Sequence, residues 1–223
     1  MVVILALVAV SFGDEIYTFI PSDPDLADLD HSWAYSWGID GSQLVGKEIT
    51  GAVLEIDNLY NWKANEWNAL WIDLLDDAPV GIISHYDGGA TTNADYFASG
   101  LEIDRLNYNY DPNNHDGYHN GLYSSRTQGI SIVQDGWAWL SGSNIWGPKY
   151  DVAITFTGAE LAALTNALGT NGNFGFGIDP DCHFYNNGFK FTVSTRTTNV
   201  PEPASLSLFG LGLLGLLFFR RKK

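Results

Sequence analysis

The sequence predicts an all-β fold, an antiparallel β-sandwich of jelly-roll type with one short helix. Three observations predict it. Short apolar runs with a period of two recur along the chain. Turns rich in Gly, Asn and Asp separate them. Aromatic residues are abundant, with 8 Trp, 11 Tyr and 12 Phe. Many short strands with turn chemistry between them are the signature of a sandwich, and the aromatics suffice for the core of one domain.

Taken in order, the stretch from Ser32 to Asp40 alternates Trp33, Tyr35 and Trp37 on one face, as a half-buried strand does. Glu48 to Leu59 carries Ile49 and Val53 and reads as a second strand. Trp67 to Asp77 alternates Trp67, Ala69 and Trp71 until Asp73 interrupts it. The run from Pro79 to Tyr86 follows a short acidic turn, so the two are expected to pair as a hairpin. Further strands are expected over Gly129–Val133, Gly136–Leu140, Tyr150–Phe156, Asn173–Ile178 and Phe189–Val193, about nine in all. One helix interrupts them. Thr157 is its N-cap, Glu160 completes a capping box, Leu161, Leu164 and Leu168 share a face, and Gly169 closes it. The segment 109–129 is polar and reads as a long loop.

Charge narrows the function. The chain has 11 Lys and Arg against 26 Asp and Glu. Four of the cations are the last four residues, so the body from Asp14 to Val200 holds 7 cations and 25 acids, a net −18. Such a surface repels phosphate backbones and excludes nucleic acid as a partner. The single cysteine, Cys182, rules out an intrachain disulfide and a cysteine-based metal cluster.

The two ends point to export. Val2 to Val10 has the length of a secretory apolar region, and Ala9-Val10-Ser11 and Ser11-Phe12-Gly13 offer small-x-small cleavage sites. Residues 1–13 are therefore read as a signal-peptide remnant. No Lys or Arg precedes the run, which a start placed too far downstream would explain. The ectodomain is assigned to residues 14–195 and a polar linker to 196–203. Residues 204–219 contain no charge, with seven Leu and three Phe, and form a membrane-spanning helix of roughly 24 Å. Arg220, Arg221, Lys222 and Lys223 form a basic stub, which the positive-inside rule keeps cytoplasmic. Gly210-x-Gly212-x-x-Gly215 spells a dinucleotide fingerprint, but the chain stops eight residues later, before the acid that the motif requires.

The order Val200-Pro201-Glu202-Pro203-Ala204-Ser205, apolar helix and basic stub resembles the PEP-CTERM sorting signal of Gram-negative bacteria. The resemblance implies an exosortase-type processing enzyme as partner, with cleavage near Pro201, Glu202 and Pro203. It also implies transient residence in the inner membrane and delivery to the cell surface or extracellular matrix, in association with exopolysaccharide. "SWGID", "GKEITGAVLEIDNLYNW" and "NGNFGFGIDPDCHFYNNGFKFTV" resemble a recurrent ectodomain of such proteins.

Within the ectodomain the catalytic patterns fail. His115 and His119 have the zincin spacing but lie in a Gly-containing loop without the general-base Glu. Ser84, Ser124 and Ser131 lack a nucleophile elbow. Cys182 and His183 are neighbours, and neighbours on a strand face opposite ways, so Cys182 is expected to be a small buried residue. The pairs Asp73 with Asp76 and Asp179 with Asp181 would serve glycoside hydrolysis only across a cleft. The sequence thus points to a non-enzymatic exported protein; a carbohydrate-binding module with solvent-facing Trp and a secreted glycoside hydrolase are the alternatives. One cation site is expected. Asp179 and Asp181 flank Pro180 at a strand end, with Asn186 and Asn187 nearby, and clustered oxygen ligands are what calcium takes. The alternative is a plain Asp-Pro-Asp turn.

Overall fold

A computed structural model describes residues 14–22, 24–62, 68–88, 95–108, 121–169 and 172–196. Among the described residues are thirteen strands, one α-helix and two short 3-10 turns. The strands are β1 (Asp14–Phe19), β2 (Asp28–Leu29), β3 (Trp33–Asp40), β4 (Glu48–Asn61), β5 (Asn68–Asp76), β6 (Gly81–Tyr86), β7 (Leu101–Tyr108), β8 (Leu122–Ser124), β9 (Ile130–Leu140), β10 (Ile145–Thr155), β11 (Asn173–Pro180), β12 (Phe184–Tyr185) and β13 (Gly188–Arg196); α1 (Gly158–Leu168) lies between β10 and β11.

The strands form two antiparallel sheets, as the alternation of apolar residues predicts. The first runs β1-β13-β4-β10-β9, with β12 and β2 added beside β4; the second runs β6-β3-β11-β5-β7-β8. Successive long strands cross from one sheet to the other, β3 to β4 to β5 and β10 to β11 to β13, which gives the jelly-roll character.

The core is built where the inner faces meet. Phe174 and Phe176 project from β11 and Phe191 from β13, all three fully buried. The Phe176 and Phe191 rings meet edge to face with centroids 4.9 Å apart, and Phe174 lies 5.7 Å from Phe191. Trp37 and Phe156 close around them. Each such ring stabilises the fold by about 1.5–3 kcal/mol through burial alone.

Because side chains alternate along β11, Gly175, Gly177 and Asp179 point the other way. This outer face is covered as well. Phe97 lies over Gly177, where an added Cβ would come within 2.5 Å of its ring, and the Pro79 carbonyl sits against Gly38. Residues 95–100 and the turn after β5 therefore roof the second sheet. That roof explains why β5 is buried along both faces. Asp73 does not interrupt the strand; it is part of it.

The helix follows the expectation closely. Thr157 and Glu160 form the reciprocal capping box, Leu164 and Leu168 are buried, and Gly169 takes a positive φ at the C-cap. Glu160 also pairs with Arg126.

Other expectations are corrected. The hairpin between β5 and β6 does not form: β6 pairs with β3, and β5 pairs with β11 and β7. The connecting turn instead carries the chain across β3 and β11. The two strands expected on either side of Gly136 are the single β9, in which Gly136 adopts φ 94° beside a register shift against β10. Within 109–129, part of which is described, Leu122 to Ser124 pairs with β7 as a strand. Among the described residues no helix is long and apolar enough to cross a membrane. The signal remnant, the Pro-Glu-Pro linker, the 204–219 helix, the basic stub and the His115–His119 pair lie outside the described residues.

The glycine floor has a measurable consequence. Gly177→Ala forces a methyl into the Phe97 ring and should cost about 1–3 kcal/mol, lowering the melting temperature by roughly 2–10 °C. Replacing Phe97 with Leu in the same chain should restore part of the loss. A melt unchanged by Gly177→Ala would show that residues 95–100 do not rest on the sheet.

Candidate functional site

Three groups of polar or aromatic residues stand apart from the core. The first lies under the roof. Asp73 on β5 is fully buried, and neither carboxyl oxygen has a hydrogen-bond donor. Register places it opposite Gly177, on the same face as Asp179. Asp179 is 2% exposed, and its Oδ2 accepts the Tyr96 backbone N–H at 2.7 Å. Asp95 caps the turn by accepting the Phe97 N–H at 2.8 Å. Burial raises the Asp73 carboxyl to about 8, and the charges of Asp95, Glu102 and Asp179 push the same way. Burial also raises Asp179 to about 6, against the Tyr96 N–H and with help from Asp87 and Asp95. At neutral pH Asp73 is thus a carboxylic acid, able to donate to the Asp95 carboxylate beside it.

Asp104 shows the opposite solution to the same burial. It is 1% exposed, but Ser124 Oγ lies 2.7 Å from each of its oxygens, and the Arg105 N–H and Ser125 Oγ donate to Oδ1. Ser124 is spent on this carboxylate.

The paired carboxylates expected from sequence do not share a cleft. Asp76 is exposed at the end of β5 while Asp73 is buried within it. Asp181 Oδ1 accepts the Ala69 N–H at 2.6 Å, whereas Asp179 is held by Tyr96. Asp57 and Asp151 are in direct contact; burial and this neighbour raise Asp57. Glycoside hydrolysis sets its two carboxyls about 5–9.5 Å apart.

The second group joins two distant segments. Phe184 pairs with Leu29, so the next residues along the two strands, His183 and Asp30, come together from distant parts of the sequence. Asp30 Oδ1 lies 3.1 Å from His31 Nδ1 and 3.3 Å from His183 Nε2, and the two Nδ1 atoms are 3.3 Å apart. Among the described residues this is the group of His, Cys, Asp and Glu whose ligand atoms all lie within 4.8 Å of one another, and it includes neither Asp179 nor Asp181. Cys182 is buried, and its sulfur accepts the Trp62 indole N–H at 3.0 Å. The imidazole of His183 turns instead toward Asp30, with Trp62 edge-on against it. Sequence reading missed this group: "LDHSW" and "DCHFY" carry its residues, and only the β2–β12 pairing relates them.

The third group is aromatic. Trp137, Trp139 and Trp146 are 46%, 49% and 54% exposed. Trp139 and Trp146 are directly opposed between β9 and β10, with ring centroids 5.9 Å apart. Trp146 shares the alternation of Tyr150 and Val152 on the core face of β10. The three indoles continue that apolar face past the Gly136 irregularity.

A β-sandwich followed by a Pro-Glu-Pro triplet and an apolar tail defines an ectodomain with a sorting handle. Residues 199–222 match the family model of the PEP-CTERM protein-sorting motif, and the chain is an exported protein sorted by exosortase from a membrane-anchored precursor. No curated protein and no solved structure matches the chain.

The buried acid predicts a pH dependence. Unfolded, Asp73 titrates near the ordinary value of about 3.9; folded, near 8. Between these values the folded chain holds a proton that the unfolded chain has released, so stability falls as pH rises, by up to about 1.4 kcal/mol per pH unit. Asp73→Asn keeps the shape without the acid. It should leave the melting temperature near pH 3 almost unchanged and raise it progressively from pH 5 to pH 8, measured by thermal melts of the full chain in detergent. An equally steep decline in the variant would assign the effect to another group.

Proposed function

We propose that the ectodomain is a non-enzymatic cell-surface or matrix module that associates with exopolysaccharide through Trp137, Trp139 and Trp146. The observation that carries this reading is the exposure of three indoles on one face of a two-stranded ribbon. Flat aromatic faces pack against the C–H faces of sugar rings, and rigid indoles lose little entropy in doing so. The ribbon is anchored by the core through Val152 and Ile154, both buried, so the face is held in place before binding. Gram-negative export to the outer surface accords with the sorting motif at 199–222. A hydrolase is the weaker reading, because Asp57 with Asp151 and Asp73 with Asp95 are in contact instead of facing each other across a cleft.

The test uses the full chain in detergent and exopolysaccharide purified from the same bacterium. Tryptophan fluorescence should change on addition of the polysaccharide. The Trp137→Ala/Trp139→Ala chain should bind at least about tenfold more weakly, since each aromatic contact contributes about 0.5–1.5 kcal/mol beyond its area. Equal binding by the variant would remove this face from the reading.

Processing gives a separate expectation. Cleavage near Pro201–Pro203 leaves a mature protein without the segment from about Ala204 onward, visible by intact mass. Glu202→Ala should leave the precursor in the inner membrane. Surface protein that still ends at Lys223 would contradict cleavage.

A further inference from the structure

The geometry points to Asp30, His31 and His183 as a three-ligand site for a divalent transition-metal ion of the zinc class. Two imidazole nitrogens and one carboxylate oxygen are the donor set that such ions prefer over calcium or magnesium. With bonds of about 2.0–2.1 Å, neighbouring ligand atoms of a tetrahedral zinc stand about 3.3–3.4 Å apart. The separations of 3.1 Å between Asp30 and His31 and 3.3 Å between His31 and His183 are already at that spacing. His183 offers either nitrogen, Nδ1 toward His31 or Nε2 toward Asp30.

The backbone that presents these ligands is fixed on both sides. The Trp33 N–H bonds the Asp30 carbonyl to close the turn, and the Asp30 N–H donates to the Tyr35 hydroxyl at 3.0 Å. The Ser32 N–H donates to Asp30 Oδ1 at 3.3 Å, aiming the carboxylate. His183 stands between buried Cys182 and buried Phe184, and its carbonyl accepts the Trp62 N–H. The side chains themselves remain reachable: Asp30 is 41%, His31 42% and His183 20% exposed. Solvent access leaves the fourth tetrahedral position to water or an incoming donor, the arrangement of an open zinc site. A bound ion would staple the β2–β3 turn to the β11–β12 connection, and the net −18 of the body draws cations toward it.

The experiment uses the full chain without a histidine tag, in detergent, stripped by chelator and titrated with zinc chloride. One equivalent of zinc should bind. At a hundredfold excess over Kd the melting temperature should rise by roughly 5–10 °C. Cobalt(II) in place of zinc should give the intense visible bands of a four-coordinate ion. His31→Ala and His183→Ala should each weaken zinc by more than the roughly 10–100-fold cost of losing an outer-shell partner. Asp30→Asn, which keeps the turn, should weaken it in the same direction. His115→Ala/His119→Ala should bind zinc as the parent does. Absence of zinc binding by the parent, undiminished binding by His31→Ala/His183→Ala, or loss of binding in His115→Ala/His119→Ala would each overturn the assignment.

Discussion

The contact of Phe174 and Phe176 with Phe191 is the interaction on which the rest of the structure depends. It joins the central strand of one sheet to the interior of the other. Strand alternation then dictates what β11 shows on its far side, and there the sequence has Gly175, Gly177 and Asp179. A flat glycine surface invites a second layer, and Phe97 settles on it. The roof in turn closes over Asp73 and Asp179. The aromatic core thus accounts, two steps removed, for carboxyls that titrate far from their ordinary range.

Two buried aspartates in neighbouring strands show how differently a fold can satisfy the same residue. Asp104 sits among hydroxyl and amide donors contributed by β8 and its own strand. Asp73 has no donor and accommodates burial by keeping its proton. The distinction lies in what a neighbouring strand offers, the Ser124 hydroxyl in one case and Gly177 in the other. Local sequence around the two acids gives no hint of it.

Period-two patterning made the sandwich legible, and the Thr157–Glu160 signature made the helix legible, because both are local rules. Strand order was not, since nothing in the turn after β5 announces that β3 and β11 stand between it and β6. β7, with Glu102, Asp104 and Arg105 among its apolar residues, hid behind its charges. The sorting handle was fully legible, being three parts in fixed order within a short stretch. The Trp-rich ribbon was visible only as the strand expected over Gly136–Leu140, because alternation reports a face and not what covers it. Asp30 and His183 were illegible as a pair: a two-residue strand, β12, is too short to leave a pattern.

β13 ends at Arg196, and the sorting motif follows at residues 199–222. β13 is an interior strand, bonded to β1 over six paired positions and to β4 over nine. A pull transmitted through the tail along the axis of this strand loads both ladders in shear. Their hydrogen bonds must then fail together instead of peeling one after another. Forced unfolding is governed by the height of the unfolding barrier, and a strand gripped on both sides raises it. In the membrane-anchored precursor, a load on the tail therefore falls first on a strand bonded along both of its edges.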